Sequence, residues 1–338
     1  MAIVGNVSRP FSRLTVFHQG ALGDFLLACP VFEALARLTT SGRILLWTRR
    51  QHAELIENEP FFEGFFPHDD LSVLPFFDEN LWKKAPIPSP CAEADLVVLL
   101  GKRSLNLVAE RLNQRLSERG KRCVWCPSFP EPGVETPVPV FIANHLESVL
   151  GVPIQIKPFK LNITEQRLEQ AREILADAGN PVLIHPGSGG VRKIWPLANW
   201  MGLIEWMKTS FPRQSFAVVT GPADSSVEPL AKWAAEHHGA IRIHNVSLPV
   251  LSAVLSLGRL YIGNDSGVSH LAAACGVPAI VIFGPTSPSV WAPWRPDVVV
   301  LKKSWQEENI LSIPDPSTIT AYFPDPETRN LISSLMVD

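Results

Sequence analysis

Short apolar runs recur along the chain, and each is followed by a glycine-bearing turn and a stretch with helical spacing. The first run covers residues 14–18, and Phe25, Val31 and Leu35 then follow on the face of one predicted helix. The next run, 43–47, completes a strand, a helix and a second strand. Strands that alternate with helices predict a parallel sheet, so the pattern predicts an α/β chain of doubly wound domains.

The same order is clearest over residues 260–285, where two apolar runs flank a stretch rich in helix formers. A helix is predicted over 267–274, because Gly276 stands where a helix-capping glycine belongs. The turn before this helix reads Asn-Asp-Ser-Gly, and the first N–H groups of a helix attract anions because they have no helical partner. Since Gly267 lets a phosphate approach the backbone and Ser266 adds a hydroxyl donor, we predict a phosphate site at this turn.

A purely structural interpretation of the same turn stays open. On that interpretation Asp265 or Ser266 is only the N-cap of the helix, because aspartate and serine are preferred caps. His270, which follows within the first turn, is then an ordinary core histidine.

The first glycine turn ends in an acidic residue. Asp24 directly follows Gly23, at the carboxyl end of the first strand, where ligands bind in doubly wound sheets. Gly20-x-x-Gly23 is an incomplete dinucleotide fingerprint, which disfavours an oxidoreductase. Alternatively, Asp24 is the N-cap of the helix predicted over 25–38, in which Pro30 predicts a kink or a late start.

A second anion site is predicted in the loop His-Pro-Gly-Ser-Gly-Gly-Val-Arg-Lys-Ile-Trp-Pro, residues 185–196. Its glycines free the backbone, Ser188 offers a hydroxyl, and Lys193 offers a charge that suits a diphosphate. The loop is not a P-loop, because no Gly-Lys-Ser/Thr ends it. Asp224 ends another strand, where a carboxylate can accept hydrogen bonds from ribose hydroxyls. The alternative is a flexible surface loop with solvated cations.

The chain length of 338 residues suggests two domains. The extended, proline-bearing stretch 153–165 is the predicted linker, and we place the domains at 1–160 and 161–338. Residues 51–94 carry many prolines and aromatic residues and are predicted to be irregular, either a mobile loop over a site or packed loop. A helical stripe of three arginines is predicted to be a solvated face: Arg111, Arg115 and Arg119.

Composition narrows the class of protein. Hydrophobic residues make up 46% and charged residues 19%, which is a normal globular balance. The net charge of −3 argues against a nucleic-acid partner. The five cysteines lack zinc-site spacing beyond Cys123-x-x-Cys126, so reduced thiols and a cytoplasmic location are expected. Residues 1–13 lack the apolar core of a signal peptide, and no run reaches the length of a membrane span, although a surface patch could still contact a membrane.

Three stretches together are more specific than any one: GALGDFLLACPVFEAL, HPGSGGVRKIWPLANW and GNDSGVSHLAAACGVPAIVIFGPTSP. In this order and spacing, from about residue 14 to residue 294, they resemble glycosyltransferase family 9, the ADP-heptose–lipopolysaccharide heptosyltransferases. No family signal is visible in 51–94 or after 302, and the tail after 302 is expected to pack back on the N-terminal domain.

The resemblance implies a GT-B fold, in which two Rossmann-like domains face each other across a cleft. It implies an acceptor-side N-terminal domain and a C-terminal domain that binds the nucleotide-sugar. It further implies an inverting transfer that needs no metal and no cofactor, with ADP-heptose as donor and a lipopolysaccharide core or other lipid-linked acceptor, and therefore peripheral contact with the inner membrane surface. Asp24 matches the family's proposed catalytic base. The implied donor-binding residues are Ser188, Lys193, Asp224, Asp265, Ser266, Gly267 and His270, although the family more often has glutamate at the position of Asp224.

Two other classes of function remain open from the sequence. One is a nucleotide-sugar-binding protein without catalysis, which the presence of Asp24 disfavours. The other is a different GT-B enzyme, such as an epimerase or another hexosyl- or heptosyltransferase. No Asp-x-Asp motif lies beside the predicted donor loop, which agrees with a cation-free mechanism.

Overall fold

The computed structural model describes residues 11–306 and 309–336, and the chain divides into two compact units, Met1–Asn162 and Ile163–Asp338. The division falls within the proline-bearing stretch that the sequence marks as the linker. The amino-terminal segment 1–10, on which the expectation of no signal peptide largely rests, lies outside the described residues.

The first unit is built on a parallel sheet, which within its described residues has five strands. They are β1 (Leu14–His18), β2 (Ile44–Thr48), β3 (Phe62–Pro67), β4 (Leu96–Gly101) and β5 (Arg122–Pro127). The helices are α1 (Leu22–Ala36), α2 (Arg50–Leu55), α3 (Ser89–Ala92), α4 (Ser104–Ser117) and α5 (Val138–Leu150), and a 3-10 helix covers Leu71–Phe77. The spatial order is β3-β2-β1-β4-β5, so the winding reverses between β1 and β4. Ligands bind at such a switch point, beyond the carboxyl ends of the strands.

The second unit repeats this plan with six parallel strands among its described residues. They are β6 (Val182–His185), β7 (Phe216–Thr220), β8 (Ile241–His244), β9 (Leu260–Asn264), β10 (Ala279–Phe283) and β11 (Val298–Lys302). The α-helices are α6 (Glu165–Leu175), α7 (Leu197–Ser210), α8 (Glu228–His238), α9 (Leu248–Ser256), α10 (Gly267–Cys275), α11 (Pro288–Trp291) and α12 (Pro326–Met336). Short 3-10 helices cover Ala176–Ala178, Val191–Lys193, Ser225–Val227 and Pro316–Tyr322. The order β11-β10-β9-β6-β7-β8 places the switch point between β6 and β9.

The strand, helix and strand predicted over residues 260–285 are confirmed as β9, α10 and β10. Gly276 ends α10 in the left-handed conformation, with φ of 82°, as its capping position predicts, and Gly151 ends α5 in the same conformation, with φ of 70°.

Two predictions for the first unit need correction. Helix α1 begins at Leu22 rather than near Phe25, so Asp24 lies inside its first turn and Pro30 does not delay its start. The segment 51–94 is not wholly irregular, because it contains the edge strand β3, parts of two helices and a 3-10 helix. An edge strand tolerates a proline, as at Pro67, because one side of it has no partner strand to receive its N–H groups.

The arginine stripe of α4 is also not a simply solvated face. The guanidinium group of Arg111 donates to the carbonyl groups of Phe76 and Asp78, at 2.9 and 3.1 Å. Arg115 donates to those of Trp82 and Ala85, at 2.8 and 3.1 Å. Two arginines one turn apart therefore tie the loop 71–87 to α4.

The carboxyl-terminal tail packs within the second unit, whereas the sequence led us to expect it on the N-terminal domain. Four apolar side chains of the tail are buried in the second unit's core: Ile310, Ile319, Ile332 and Met336. A Cβ at Gly202 of α7 would lie 2.1 Å from the carbonyl oxygen of Tyr322, so the tail backbone lies directly against that helix. Apolar residues spaced along short helices allow the tail to complete this core.

None of the described helices is long and apolar enough to cross a membrane. All five cysteines are buried free thiols, so Cys123 and Cys126 form no disulfide.

Candidate functional site

Asp24 lies at the third position of α1 and is half-buried. Its Oδ2 atom accepts a hydrogen bond from the backbone N–H of Ala21 at 3.1 Å. Ala21 rather than Asp24 is therefore the N-cap, and the structural alternative for Asp24 is wrong in that detail. The carboxylate still stabilises the helix start, because it satisfies an N–H group that the helix leaves without a partner.

The turn before Asp24 requires a glycine at position 20, because neighbouring side chains occupy the space of a Cβ there. A Cβ at Gly20 would lie 2.7 Å from Cε1 of His18 and 2.8 Å from Cβ of Asp24. The absence of a side chain at Gly20 thus leaves room for both the buried imidazole and the Asp24 side chain.

Asp24 lines a cavity of about 320 Å³ at the switch point of the first unit. Lys102 and Ser104, which follow β4, supply a cation and a hydroxyl to the cavity wall. Phe77 and Phe129 supply aromatic walls. A carboxylate in such a pocket can take a proton from a hydroxyl group bound there. The sequence did not single out these four neighbours, although their places after strands or in an aromatic-rich loop were visible.

In the second unit, Asp265 organises the predicted donor site. Its Oδ2 atom lies 2.8 Å from Nζ of Lys193 and accepts a hydrogen bond from Oγ1 of Thr286 at 2.6 Å. Its backbone carbonyl accepts from Oγ of Ser188 at 2.7 Å. A carboxylate neutralised in this way is compatible with a neighbouring anion, because its charge is matched by the ammonium group.

Asn264, the last residue of β9, joins this turn to the loop after β6. Its Nδ2 donates to the carbonyl of Pro186 at 2.6 Å, and its Oδ1 accepts from the N–H of Trp195 at 3.1 Å. The side chain is fully buried, and a buried amide without hydrogen-bond partners would destabilise the fold. These two bonds supply its partners. This role was not predicted, although Asn264 begins the Asn-Asp-Ser-Gly turn.

Ser266 is the N-cap of α10, and Gly267 is the first helical residue. The Oγ atom of Ser266 accepts from the N–H of Ser269 at 3.4 Å. The capping interpretation therefore holds for Ser266, but not for Asp265. A capped helix tip can still bind an anion, because the remaining N–H groups of the first turn keep their direction.

His270 lies buried beside the pair of Lys193 and Asp265. The pKa of His270 is lowered to about 4, because burial and the charge of Lys193 lower it by more than the charge of Asp265 raises it. The imidazole is consequently neutral near pH 7.

Asp224 is also buried, at the carboxyl end of β7. Its Oδ2 atom accepts from the N–H of Gly221 at 2.7 Å and from Nε2 of His185 at 3.2 Å. Burial by itself would raise the pKa of Asp224, but the hydrogen bonds from His185 and Gly221 lower it overall, so the group is ionised. A Cβ at Gly187 would lie 1.9 Å from Oδ1 of Asp224, so the loop fits closely around this carboxylate.

The structure thus brings together Ser188, Lys193, Asp265, Ser266, Gly267 and His270 near the tip of α10. Asp224 joins them through His185, whose Nδ1 lies 3.2 Å from Oγ of Ser266. His185 was not among the predicted site residues. Its place directly after a buried strand and before the glycines was the signal that could have found it. Among the described residues, no group of three or more His, Cys, Asp or Glu side chains could hold a metal ion.

Two parallel α/β units of this topology define the GT-B class of protein, and solved structures agree. The chain superposes on Escherichia coli ADP-heptose lipopolysaccharide heptosyltransferase II with a TM-score of 0.67, at 15% identity, covering 96% of this chain and 98% of that one. An E. coli heptosyltransferase solved with ADP gives a TM-score of 0.62 at 17% identity, covering 96% and 99%. At these identities the likeness concerns the fold, and the predicted fold class is confirmed.

Sequence comparison identifies the family. Residues 134–317 match the profile of glycosyltransferase family 9 (heptosyltransferase). Lipopolysaccharide heptosyltransferase 1 of Campylobacter coli is 33% identical over 297 residues, which cover 81% of this chain and 84% of that protein. The chain belongs to glycosyltransferase family 9, as the three motifs predicted.

Other relatives match over shorter stretches. Lipopolysaccharide heptosyltransferase 3 of E. coli is 27% identical over 157 residues, 44% of this chain and 45% of that protein. Lipopolysaccharide heptosyltransferase 1 of Pseudomonas aeruginosa is 38% identical over 120 residues, 35% of this chain and 33% of that protein. The match therefore spans less than half the length of these two relatives.

Proposed function

We propose that the protein transfers a heptose from ADP-heptose to a hydroxyl group of a lipopolysaccharide core acceptor, with inversion at the anomeric carbon and without a metal. Membership of the heptosyltransferase family, the names of the relatives and the related structure solved with ADP support this proposal. The observation that carries it is the ion pair of Lys193 and Asp265 at the tip of α10, where a cation, hydroxyl groups and a helix N-terminus come together.

On the donor side, the diphosphate binds to Lys193, to the first N–H groups of α10 and to the hydroxyl of Ser188, which must leave the carbonyl of Asp265 to donate to a phosphate oxygen. An ammonium group has three donors, and the bond to Asp265 uses one of them, so two remain for phosphate oxygens. The Lys193 side chain is 36% exposed, whereas that of Asp265 is 5% exposed, so the cation rather than the acid meets a ligand from solvent. Asp224 accepts a hydrogen bond from a ribose hydroxyl through Oδ1, because the hydrogen bonds from His185 and Gly221 are both accepted by Oδ2.

On the acceptor side, Asp24 acts as the general base. It takes the proton of the acceptor hydroxyl as that oxygen forms a bond to the anomeric carbon of the heptose. The bond between this carbon and the diphosphate oxygen breaks from the opposite face, which inverts the configuration and releases ADP. Lys193 and the helix dipole of α10 stabilise the negative charge that develops on the leaving diphosphate.

The test incubates the protein with ADP-heptose and a lipopolysaccharide core acceptor and follows the acceptor by mass spectrometry. Asp24→Asn is expected to lower turnover by about 10²–10⁴-fold, the usual effect of losing a general base, while ADP binding stays unchanged. Asp69→Asn, which changes an exposed aspartate of the same unit, is the matched control.

Turnover of Asp24→Asn at the wild-type rate would exclude the base role. ADP-heptose consumption without any heptosylated acceptor would instead favour another GT-B reaction. Binding of donor without consumption would favour a nucleotide-sugar-binding protein.

We further propose that the enzyme works in the cytoplasm, in peripheral contact with the membrane that carries its acceptor. Leu71 and Leu74 are 68% and 52% exposed, on the same 3-10 helix as Phe77 of the Asp24 cavity. Exposed apolar side chains beside a pocket for a lipid-linked acceptor favour such contact. Co-sedimentation with phospholipid vesicles is expected for the wild type and should weaken in Leu71→Ser/Leu74→Ser; equal sedimentation of both would count against this contact.

A further inference from the structure

The loop that follows β10, residues 284–287, carries the threonine that contacts Asp265. Oγ1 of Thr286 donates to Oδ2 of Asp265 at 2.6 Å, and Nζ of Lys193 lies 2.8 Å from the same oxygen. The hydroxyl and the ammonium group therefore share one carboxylate oxygen. A shift of Thr286 would be transmitted to this carboxylate, and through it to the cation that is proposed to bind the diphosphate.

This loop is held by a lysine of the neighbouring strand. Lys302 is the last residue of β11 and pairs with Phe283, the last residue of β10. Its Nζ atom donates to the backbone carbonyl of Gly284 at 2.5 Å and to that of Thr286 at 2.8 Å. Because two carbonyl groups of one short loop accept from a single ammonium group, the loop backbone is fixed at two points.

The chain after β11 supports the same loop by packing. A Cβ at Gly284 would lie 2.3 Å from Cη2 of Trp305, so the indole ring lies directly against the loop backbone. Trp305 in turn packs against the buried core of the second unit. Pro285 fixes one backbone dihedral of the loop, and the Cβ branch of Thr286 restricts its χ1. The Thr286 hydroxyl is therefore presented to Asp265 from a rigid support.

The backbone of Asp265 is fixed separately from its side chain. Its N–H donates to the carbonyl of Ile282 at 3.1 Å, and its own carbonyl accepts from Oγ of Ser188 at 2.7 Å. Among the residues that the structure describes, Thr286 and Lys193 are the two whose side chains bond to its carboxylate. Without the hydroxyl, the carboxylate would be oriented by a long, 36% exposed lysine side chain alone.

We propose that Thr286 and Lys302 are positioning residues of the donor site: Lys302 fixes the loop 284–287, and Thr286 fixes the Asp265 carboxylate in the orientation that places the Lys193 ammonium group for the diphosphate. This inference rests on the proposed donor site. Neither residue needs to contact the ligand. Their effect is preorganisation, because groups that are ordered before binding lose less conformational entropy when the ligand arrives.

Calorimetric titration with ADP tests the role of Thr286. Thr286→Val keeps the shape of the side chain but removes the hydroxyl, so it is expected to weaken ADP binding by about 3–10-fold, the usual net effect of one hydrogen bond. Thr286→Ser keeps the hydroxyl and should bind ADP within about twofold of the wild type. Thermal unfolding of each variant, measured alongside, shows that it is folded.

A double variant tests whether Lys302 acts through the same hydroxyl. Lys302→Met cannot hold the two carbonyl groups and should weaken ADP binding, but by no more than Thr286→Val does. The loss in Thr286→Val/Lys302→Met should equal that in Thr286→Val alone, because a loop without its hydroxyl no longer orients Asp265.

Lys303→Met is the matched control for the charge of Lys302. It removes the same positive charge from the next residue of the chain, where Nζ lies 2.7 Å from Oδ2 of Asp325 rather than on the loop 284–287. This variant should bind ADP as the wild type.

The outcomes separate this inference from the proposed function. Wild-type affinity in Thr286→Val, or an equal loss in Thr286→Ser, would overturn the inference and leave the donor site intact. Equal losses in Lys302→Met and Lys303→Met would assign the effect to lost charge, and additive losses in the double variant would show that Lys302 acts by another route; either result overturns its positioning role. Failure of the wild type to bind ADP would reject the proposed donor site itself.

Discussion

The contacts of Asp265 show how an acidic residue can belong to the proposed diphosphate site. Its carboxylate is shared between the ammonium of Lys193 and the hydroxyl of Thr286, while its backbone carbonyl holds Ser188. The acid therefore fixes the position of a cation and a hydroxyl before any ligand binds. Such preorganisation reduces the entropic cost of binding, because Lys193 has already lost much of its rotamer freedom.

This role predicts that Asp265→Asn has opposite effects on ADP binding in the presence and in the absence of Lys193. Lys193→Ala should weaken ADP binding by about 10–100-fold, since a hydrogen bond to a charged group contributes roughly 1.5–3 kcal/mol. Asp265→Asn should weaken binding in the wild type, because Lys193 loses its partner. In the Lys193→Ala background the same change should strengthen binding, because it removes an unmatched negative charge near the diphosphate.

Calorimetric dissociation constants of the two single variants and the double variant form the required cycle. Lys232→Ala, which removes an exposed lysine of α8, is the control and should bind as the wild type. Simple additivity of the two changes would show that Asp265 does not act through Lys193.

Gly187 packs so closely against Asp224 that a larger residue at this position should displace the carboxylate. In Gly187→Ala the new Cβ would lie 1.9 Å from Oδ1 of Asp224, so the carboxylate or the loop must move. Overpacking of this kind costs about 1–3 kcal/mol, and displacement of Asp224 should also weaken ADP binding. Gly189→Ala in the same loop meets no atom within 4 Å and is the matched control.

Thermal unfolding and ADP titration of both variants would check this prediction. The control should stay within about 0.5 kcal/mol of the wild type, as for most surface substitutions. If Gly187→Ala and Gly189→Ala behaved alike, the packing of Asp224 on the loop would not matter for either property.

At the scale of elements, the arginines of α4 connect the loop 71–87 to the Asp24 cavity. Arg115 holds two carbonyl groups of this loop, and Phe77 of the same loop lines the cavity. Arg115→Ala is therefore expected to loosen the loop, to raise its rate of proteolytic cleavage and to raise the KM for the acceptor severalfold. ADP affinity should not change, because its proposed site lies in the second unit.

Arg119→Ala is the control for this prediction. Arg119 belongs to the same predicted stripe but is exposed, one turn beyond Arg115. A rise in acceptor KM in both variants would indicate a general effect of lost positive charge rather than an effect of loop anchoring.

The elements themselves were predictable to different degrees. The limits of α5 could be read from the sequence, because a proline precedes its start and a glycine ends it. The start of α1 was missed, because Gly20-x-x-Gly23 resembles an open turn, whereas the Asp24 carboxylate lets the helix begin at Leu22. β3 was missed because its residues are mostly half-buried and its proline, Pro67, suggested a loop.

At the scale of the whole molecule, the strand order accounts for most of the predicted site. Ser188, Lys193 and the turn from Asp265 are far apart in sequence, but each follows a strand, and β6 and β9 are neighbours at the switch point. Parallel strands end at one edge, so this convergence could be predicted. The contacts of His185 and Thr286 could not, because they depend on strand register and side-chain rotamers.

The first unit also contains two buried histidines that should make its stability depend on pH. His18 and His52 are fully buried or nearly so, and their ring nitrogens have no hydrogen-bond partner among the described residues. Burial, followed by repulsion from His52 and Arg49, lowers the pKa of His18 to about 3. Burial, followed by repulsion from Arg49 and His68, lowers the pKa of His52 to about 4. Both imidazoles are therefore neutral in the folded unit.

In the unfolded chain the same histidines bind protons below about pH 6.5, whereas the folded unit does not bind them until its own lower pKa values are reached. Stability is therefore expected to fall as the pH drops from about 6.5 towards 4, by roughly 2 kcal/mol per histidine at about pH 5. His52→Leu tests this, because its ring stacks on Phe25 with 4.6 Å between centroids and a leucine leaves no polar atom unsatisfied. The loss of Tm between about pH 7 and pH 5 should shrink by about 4–8 °C in the variant, on the scale of 2–4 °C per kcal/mol. His237→Gln, at an exposed position of α8, should leave the loss unchanged, and an equal loss in His52→Leu and wild type would show that His52 does not stay neutral in the fold.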